Sequence, residues 1–508
     1  MDDELQVNLI RRVNVGDSLT RTAWRLPDKE AVVDAERRLT YRELNAEVNR
    51  VANTLLARGF RRGDVVAMIV GNSIDFLVAY YALAKIGVVS VPINLLWGPP
   101  ETSYVVGHCK PRAAIVEPMF APLVAGAGVE VFQTPLRELA NGVSDAEPEV
   151  YVEDRDPLSY MYTSGTTSAP KGVVQSHLAV YIETLTAALA LKVDDDWRTA
   201  LFMPLFHTAA LNALSSTCVA RGGTVVLMRG FDPAAVLRTI ERERITYFLG
   251  LPMMLRALME HPDFARTDKS TLRLVGYAMA PMPDTDLKQA IEAFGCDLCL
   301  GFGQTELSPL TTVFQPEDQL RFAGSVGTQI PNVQTAIMAE DGKLLPPGRT
   351  GEIVYRSPQT MTEYLHDEEA TAETFVHGWF HSGDIGRFDE HGVLWFVDRK
   401  KDVIKSGGEN VSSLEVERAL YDAEPRIAEC VVVGLPHPKW GEALTAIVTP
   451  RPGETLSEEE VIAAARTKLA SFKVPKAVFF VDELPRTSTG KVQKNVLREQ
   501  FSRTHASA

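Results

Sequence analysis

Strand-like apolar runs alternate with helical segments along most of this chain, and this alternation restricts the folds that the chain can adopt. Strand, helix and strand patterns follow one another at 65–70, 75–85 and 88–93. The pattern recurs over 199–252, where apolar runs alternate with helical spacing. Continuous apolar strands separated by helices predict mainly parallel sheets covered on both faces, so the expected fold class is α/β. A further helix, ended by a glycine, is predicted over 39–59.

The length of 508 residues exceeds what one hydrophobic core supports, so at least two domains are expected. The boundary is predicted within 397–413, where a charged run leads into paired glycines and then into a helix. Ser412 with Glu415 three places on is the pattern of a capping box. We therefore predict a large N-terminal domain over 1–400 and a small α+β domain over 401–508, which rotates about the charged, glycine-containing junction.

Composition excludes several classes of function. The formal net charge is −14 and no block of lysine and arginine stands out, which argues against a nucleic-acid partner. The N-terminus lacks a secretory layout and no run of eighteen apolar residues occurs, so no stable membrane insertion is expected. Five scattered cysteines favour a reducing cytoplasm. Cys296 and Cys299 lack a partner pair at metal spacing and are expected to fill a buried strand.

The segment over 162–174, YTSGTTSAPKGVV, has the composition of an oligophosphate-binding loop. It sets hydroxyls around Gly165 and places Lys171 beside Gly172. Hydroxyls, closely approaching backbone N–H groups and one ammonium suit a ligand whose charge is spread over many oxygens. The spacing differs from that of a Walker loop. The composition alone also fits a flexible surface turn.

A second segment, GFGQTE over 301–306, carries the residue types of a nucleotide and magnesium site. Its two glycines let the backbone approach a nucleotide, and Phe302 offers a face for stacking adenine. Thr305 can bond a phosphate, and Glu306 supplies the hard carboxylate that Mg²⁺ takes beside phosphate oxygens. A strand followed by an ordinary turn is the alternative interpretation.

Taken in order along nearly the whole chain, these segments resemble the adenylate-forming enzymes of the acyl-CoA synthetase, adenylation-domain and luciferase superfamily. The likeness is greatest to the fatty-acyl-CoA and aryl-CoA ligases. Such enzymes activate a carboxylate with ATP, release pyrophosphate and pass the acyl group to a thiol. The resemblance implies ATP, Mg²⁺ and CoA as cofactors.

The resemblance also implies roles for individual residues. Those at the nucleotide are Thr163, Ser164, Gly165, Thr166, Thr167, Lys171, Ala278, Met279, Ala280, Gly301, Phe302, Thr305, Asp384, Arg399 and Lys491. The implied catalytic residues are Thr163, His207, Glu306 and Lys491, with Thr163 and Glu306 at the metal. The implied CoA contacts are Gly407, Gly408, Trp440 and Lys473, the acid pocket contains His207, Ala210, Phe248 and Met253, and the hinge is Asp402.

Two positions depart from the family pattern. Ser168 stands where relatives usually carry glycine, and if that position needs a positive φ the serine adds about 1 kcal/mol of strain. Met279 stands where a small residue is common. Taken singly, His207 also fits a core histidine, Lys491 an exposed loop lysine, and Trp440 a loop residue packed on its own domain.

The function expected first is a CoA ligase for an apolar monocarboxylic acid, either a medium- or long-chain fatty acid or an aryl acid. The nucleophile is an already ionised carboxylate, so the Lys491 ammonium and Mg²⁺ serve to stabilise charge that develops at phosphorus. The alternatives are a stand-alone adenylating enzyme that serves a carrier protein or another nucleophile, and a non-catalytic nucleotide binder. A homodimeric state is left open.

Overall fold

The computed structural model describes residues 3–163, 169–278, 282, 284–486 and 492–505. Contacts divide the chain into two compact units. The first contains the chain up to Thr163, then Pro170–Gln334 and Arg356–Phe380. The second contains Thr335–Tyr355 and the chain from His381 onward. The boundary predicted after residue 400 stays a prediction.

The helices are spread over the whole chain. In order they are α1 (Asp3–Arg11), α2 (Val15–Arg25), α3 (Tyr41–Ala57), α4 (Ile74–Lys85), α5 (Pro99–Cys109), α6 (Leu136–Leu139), α7 (His177–Ala190), α8 (Thr217–Arg221), α9 (Pro233–Arg242), α10 (Pro252–Glu260), α11 (Asp284–Phe294), α12 (Glu368–Thr374), α13 (Ser413–Ala423), α14 (Glu458–Arg466) and α15 (Lys494–His505). A π-helix spans Ala209–Ser216, and short 3₁₀ turns span Pro118–Val124, Thr305–Leu307, Pro316–Asp318 and Ser471–Lys473.

The strands fall between these helices as the alternation predicts. In order they are β1 (Glu30–Val33), β2 (Arg38–Thr40), β3 (Val65–Ile69), β4 (Val89–Pro92), β5 (Ala113–Val116), β6 (Glu130–Gln133), β7 (Pro157–Thr163), β8 (Lys171–Ser176), β9 (Arg198–Leu201), β10 (Thr224–Leu227), β11 (Tyr247–Gly250), β12 (Leu274–Tyr277), β13 (Asp297–Gly303), β14 (Leu310–Phe314), β15 (Thr328–Gln329), β16 (Gln334–Met338), β17 (Gly351–Arg356), β18 (Phe375–Val376), β19 (Trp379–Phe388), β20 (Leu394–Arg399), β21 (Ile404–Ser406), β22 (Glu409–Val411), β23 (Ile427–His437), β24 (Gly441–Pro450) and β25 (Ala477–Phe480).

Two sheets form the first unit. The nine-stranded sheet has the order β15-β14-β13-β12-β11-β9-β10-β1-β2, and its middle strands from β13 to β1 all pair in parallel. The six-stranded sheet has the order β6-β5-β3-β4-β7-β8 and is parallel except for the final β7–β8 pair. The predicted α/β class with mainly parallel sheets is confirmed.

Local sequence signals explain where these elements begin and end. Thr40 caps α3 by accepting from the Glu43 N–H, and the Glu43 carboxylate accepts from the Thr40 N–H in return. An N-cap of this kind contributes about 1 kcal/mol. The chain leaves α3 through Gly59, whose φ of 82° favours glycine. The predicted helix over 39–59 is therefore confirmed.

The second unit contains two further sheets. In one, β16, β17 and β19 follow one another and β20 pairs antiparallel with β19. The other has the order β22-β21-β24-β23, with β25 parallel to β24, and helices α13 and α14 pack against its core. Ser412 caps α13 as predicted, but the Glu415 carboxylate accepts from Lys473 rather than completing the capping box.

Among the described residues, no helix combines the length and the apolar character needed to cross a bilayer. The cysteines are free thiols, and Cys299 is buried in β13 as expected, whereas Cys296 lies just before that strand and is half-buried.

Candidate active site

The carboxyl ends of four parallel strands meet at one edge of the nine-stranded sheet. His207 follows β9, Phe248 lies in β11, Ala278 follows β12 and Phe302 lies near the end of β13. Ligands of α/β proteins bind at this edge, because loops there converge while the strands themselves remain rigid. The topology therefore brings together residues that are separated by up to about a hundred positions in the sequence.

His207 is the most distinctive side chain at this edge. Its backbone N–H donates to the Pro204 carbonyl at 3.1 Å, and its ring lies 4.6 Å from the Phe206 ring between centroids. The Nε2 atom is buried and has no hydrogen-bond partner among the described residues. Burial lowers the pKa of His207 to about 4, so the imidazole is neutral at pH 7. A buried neutral imidazole with an open nitrogen is suited to hydrogen-bond a ligand atom.

The π-helix begins two residues after His207. Its first turn carries Ala209 and Ala210, followed by Ala213, so small side chains line the element that leads away from the imidazole. Ala210 and Ala213 are buried. Helices with this wider turn are rare and frequently occur at functional sites.

Two other residues predicted for the acid pocket differ in their surroundings. Phe248 is fully buried, with its ring 5.9 Å from the rings of both Phe202 and Phe294. Met253, at the start of α10, is 49% exposed. The roles of both in holding an acid remain predictions.

Thr163 and Lys171 flank the predicted phosphate loop. They are Cα partners in the antiparallel β7–β8 pair, which fixes the two ends of the loop side by side. The Lys171 Nζ lies 3.6 Å from a carboxylate oxygen of Asp367, and the lysine side chain is 39% exposed. Residues 164–168 of this loop lie outside the described residues, which applies to the predictions for Ser164, Gly165, Thr166, Thr167 and Ser168.

A short 3₁₀ turn presents Thr305 and Glu306 after β13. The Thr305 carbonyl accepts from the Gln175 side-chain amide at 2.8 Å. The Glu306 Oε1 accepts from the Tyr364 hydroxyl at 2.9 Å. The carboxylate predicted to bind Mg²⁺ is thus half-buried and held by a second element.

Sequence reasoning did not identify the amides that brace this turn. The buried Gln175 also accepts from Asn212 of the π-helix at 3.0 Å, and Asn212 donates to the Ser308 carbonyl at 3.3 Å. Gln359 donates to the carbonyls of Leu307 and Leu310. The only signal was a lone amide in each apolar context, which does not reveal partners that lie 37 to 130 residues away.

The glycines of β13 have unequal roles. A Cβ on Gly303 would lie 1.9 Å from the Pro309 carbonyl oxygen, whereas one on Gly301 would meet only the Leu310 side chain, at 3.2 Å. Gly303 is therefore required by the turn itself. Ala278 is described and half-buried, while the adjacent Met279 and Ala280 lie outside the described residues.

In the second unit, Asp384 and Arg399 are cross-strand partners on β19 and β20. The Arg399 Nε lies 2.8 Å from the Asp384 Oδ1, and Asp384 is buried. The two residues predicted to contact ribose are therefore brought together, with the arginine holding the carboxylate in place.

Asp402, the predicted hinge, follows this pair. Its Oδ1 lies 2.7 Å from a guanidinium nitrogen of Arg498 on α15. Sequence reasoning missed Arg498, because a lone arginine on a C-terminal helix gives no local sign of its partner.

The predicted CoA residues separate into two groups. Gly407 and Gly408 have φ values of 61° and 90°, and the Gly407 N–H donates to the Trp440 carbonyl at 2.8 Å. Lys473 instead binds the Glu415 carboxylate at 2.6 Å. The structure thus joins the glycine pair to the tryptophan and gives Lys473 a different partner.

Two lysines that the sequence analysis did not select lie over the Trp440 ring. The Nζ atoms of Lys439 and Lys476 are 4.7 Å and 5.5 Å from the ring centroid. Cation–π contact keeps both ammonium groups beside the aromatic face. The predicted catalytic residue Lys491 lies outside the described residues.

The residues present fit a magnesium ion that shares its ligands with a nucleotide. Within the described part of the chain, no group of three or more His, Cys, Asp or Glu side chains could enclose a metal. The half-buried Glu306 carboxylate is a single hard ligand, and the predicted Thr163 would add a hydroxyl. Mg²⁺ is commonly held by one or two carboxylates together with substrate phosphates.

Family models match both parts of the chain. The AMP-binding enzyme model matches residues 19–365, and the AMP-binding enzyme C-terminal domain model matches residues 415–491. The chain belongs to the AMP-binding enzyme family. The reaction class predicted from the sequence, an AMP-forming acid–thiol ligase that uses ATP and CoA, is confirmed by this membership and by the relatives that follow.

The relatives of this AMP-binding enzyme align over nearly their whole length. Feruloyl-CoA synthase of Amycolatopsis sp is 37% identical over 97% of this chain and 100% of the relative. The long-chain-fatty-acid–CoA ligase FadD13 of Mycobacterium tuberculosis (strain ATCC 25618 / H37Rv) is 36% identical over 97% of this chain and 99% of the relative. The fatty acid–[acyl-carrier-protein] ligase ScoC of Streptomyces coeruleorubidus is 33% identical over 94% of both chains.

Solved structures agree with this assignment. ATP-bound MatB from Rhodopseudomonas palustris superimposes with a TM-score of 0.90 and 32% identity, over 97% of this chain and 100% of that chain. The anthranilate CoA ligase AuaEII in complex with anthranoyl-AMP also gives a TM-score of 0.90, with 29% identity over 97% of this chain and 98% of that chain.

Proposed function

We propose that this AMP-binding enzyme activates an apolar monocarboxylic acid, fatty or aryl, as an acyl-AMP and transfers the acyl group to CoA. The proposal rests on the residues found where the acid is proposed to bind. There the buried His207, whose Nε2 has no hydrogen-bond partner in the part of the chain that the structure describes, precedes a π-helix that begins with alanines. A neutral imidazole beside small apolar side chains suits a carboxyl group attached to an apolar body.

The relatives support the same acid class. Two of them are named for feruloyl and long-chain fatty acyl groups, and the AuaEII complex contains an anthranoyl-AMP. Each of these acyl groups joins one activated carboxyl to a largely apolar or aromatic body. The buried Phe248 and the half-exposed Met253 would add further apolar surface to the proposed pocket.

In the first half-reaction, a carboxylate oxygen of the acid attacks the α-phosphorus of ATP. An O–P bond to the acid forms, and the bond to pyrophosphate breaks. Thr163 and Lys171 hold the phosphates in this proposal, and the Lys491 ammonium stabilises the charge at phosphorus. When bound, Mg²⁺ would neutralise phosphate charge from its place at Glu306. Asp384 and Arg399 hold the ribose.

In the second half-reaction, the CoA sulfur attacks the acyl carbonyl carbon and AMP leaves as the C–O bond of the mixed anhydride breaks. The thiol proton goes to solvent. Trp440 offers an aromatic face, and the neighbouring Lys439 and Lys476 offer positive charge to the CoA phosphates. We assign Lys476 to CoA in preference to Lys473, whose ammonium is engaged by Glu415.

The experiment that tests the proposed chemistry is the replacement Lys491→Ala. We expect acid-dependent pyrophosphate release to fall by about a thousandfold or more, because one preorganised cation at a transition state is worth several kcal/mol. ATP binding measured by calorimetry and the midpoint of thermal unfolding should change little. Unchanged pyrophosphate release in this variant would contradict the assignment.

A carrier protein is the second candidate acceptor, because ScoC aligns with 33% identity over 94% of this chain. The replacements Trp440→Ala and Lys476→Met discriminate between the two acceptors. If CoA is the acceptor, both variants raise the KM for CoA and leave acid-dependent pyrophosphate release intact. A wild-type enzyme that loads a phosphopantetheinylated carrier protein but forms no acyl-CoA would favour the carrier.

We also propose a cytoplasmic location, which is supported by five cysteines that all remain free thiols. The homodimeric state stays a prediction that sedimentation of the purified chain would test.

A further inference from the structure

The segment over 361–364, which precedes α12, contacts both strand β8 and the 3₁₀ turn that contains Glu306. Tyr364 forms an antiparallel bridge with Val173 of β8, the strand that begins at Lys171. At the other end of the segment, the Met361 N–H donates to the Glu306 carbonyl at 2.7 Å. One stretch of backbone therefore touches the strand with the lysine and the turn with the carboxylate.

The Tyr364 side chain contacts the same two elements, once through a hydrogen bond and once through a cation–π contact. Its hydroxyl donates to the Glu306 Oε1 at 2.9 Å. Its ring lies under the Lys171 ammonium, with the Nζ 4.8 Å from the ring centroid. The same ammonium is 3.6 Å from an oxygen of Asp367, three residues further along.

We propose that Tyr364 is a positioning residue that couples the two charged groups at the ATP phosphates. Its hydroxyl orients the Glu306 carboxylate for Mg²⁺, and its ring holds the Lys171 ammonium beside the phosphate loop. This inference rests on the proposed function, because it takes Glu306 and Lys171 to be nucleotide-site residues.

The two halves of the side chain have separate physical effects. A hydrogen bond to a carboxylate restricts its rotation and leaves one defined oxygen for a cation. A cation–π contact holds an ammonium without neutralising its charge, so the ring does not compete with an anion for Lys171, whereas the Asp367 carboxylate at 3.6 Å does. Removing the hydroxyl should therefore affect only steps that need Mg²⁺, whereas removing the ring should also affect the binding of metal-free ATP.

The test compares Tyr364→Phe with Tyr364→Leu in the full-length protein. Calorimetry gives the Kd of ATP in EDTA and in excess Mg²⁺ for each variant. For Tyr364→Phe we expect an unchanged Kd in EDTA and a loss of about fivefold to tenfold in the affinity gained from Mg²⁺, because a hydrogen bond to a charged group is lost. For Tyr364→Leu we expect weaker binding in EDTA as well.

Two further variants make the test specific. Tyr160→Phe removes a tyrosine hydroxyl from β7, the strand that pairs with β8, at a residue assigned no role. This variant should match the wild type in both Kd values and in thermal unfolding. In a Lys171→Met background, Tyr364→Phe and Tyr364→Leu should become equal in EDTA, because the ring then has no ammonium to hold.

The proposal is overturned if Tyr364→Phe keeps the full gain from Mg²⁺, or if it weakens ATP binding equally with and without Mg²⁺. Glu306→Gln separates this failure from a failure of the proposed site. If Glu306→Gln loses the gain from Mg²⁺ and Tyr364→Phe keeps it, only the role of Tyr364 is wrong. If Glu306→Gln also keeps it, the assignment of the metal ligand is wrong.

Discussion

Glu183, on α7, is a carboxyl group that the folded protein keeps away from water. It is fully buried, and neither carboxyl oxygen makes a hydrogen bond of good geometry among the described residues. Burial raises its pKa well above the usual value, against a smaller opposing effect of the Leu310 backbone. The carboxyl is therefore protonated in the folded state at pH values where it is ionised in the unfolded chain.

A raised folded pKa gives stability that is fully present below the unfolded pKa of about 4.5 and is lost as pH rises toward the folded pKa. We therefore predict that Glu183→Gln is more stable than the wild type above pH 5. The difference in the free energy of unfolding should grow by about 1.4 kcal/mol for each pH unit until the pH reaches the folded pKa. Thermal unfolding at pH 5, 6 and 7 would measure this difference. The matched control, Glu241→Gln at an exposed position of α9, should show no such trend. A difference for Glu183→Gln that does not grow with pH would contradict the account.

His207 shows what the sequence could and could not reveal at the scale of single residues. Its position after an apolar run and before small residues also fits a core histidine, and it was the family resemblance that selected it. Its neutral state was not predictable, because the lowered pKa depends on burial by neighbours from other elements. The contacts of Tyr364 and Arg498 were not predictable either, because their partners Glu306 and Asp402 are distant in sequence.

At the scale of elements, the end of β13 depends on a glycine that no other residue can replace. We predict that Gly303→Ala destabilises the protein by about 3 kcal/mol or more, because its Cβ would collide with the Pro309 carbonyl. Gly301→Ala is the matched variant on the same strand, and its Cβ meets only a flexible leucine side chain. Thermal unfolding of the two variants should show a much larger loss for Gly303→Ala. Equal losses would mean that the turn after β13 tolerates a side chain.

The helices and strands were largely predictable, because the sequence signals that define them are local. Apolar periodicity and caps mark α3, α4 and β3 within a few residues, since each signal lies inside its own element. The π-helix was predicted only as a helical stretch, because its wider turn has no sequence signature. The Glu415 carboxylate was expected to complete a capping box, but a lysine from elsewhere in the second unit binds it.

At the scale of the whole molecule, the charged junction around Asp402 is predicted to allow the small domain to change orientation between the two half-reactions. We predict that Asp402→Pro slows thioester formation by about tenfold more than adenylation, because proline fixes φ at a hinge that must rotate. Single-turnover assays of each half-reaction would measure the two rates.

Arg498→Met serves as the control for this hinge variant. It removes the 2.7 Å ion pair to Asp402 and leaves the backbone of the junction free. We expect it to affect the two half-reactions similarly. Equal slowing of both half-reactions by Asp402→Pro would count against a hinge at this position.

The order of the motifs along the chain predicted the family, because each motif is a continuous segment. The acid itself was not predictable, since the proposed pocket is assembled from β9, β11, α10 and the π-helix, and its shape depends on how they pack. The acceptor was likewise left open between CoA and a carrier protein, because the residues near Trp440 converge only in the folded second unit.

A product assay across a panel of fatty, aryl and dicarboxylic acids, with ATP and Mg²⁺ and with and without CoA, tests whether the protein forms an acyl-AMP and then an acyl-CoA. We predict that at least one apolar monocarboxylic acid gives acid-dependent pyrophosphate and an acyl-AMP without CoA, and equal amounts of AMP and acyl-CoA when CoA is present. If no acid yields pyrophosphate, or if the adenylate forms and CoA is never acylated, the account is wrong.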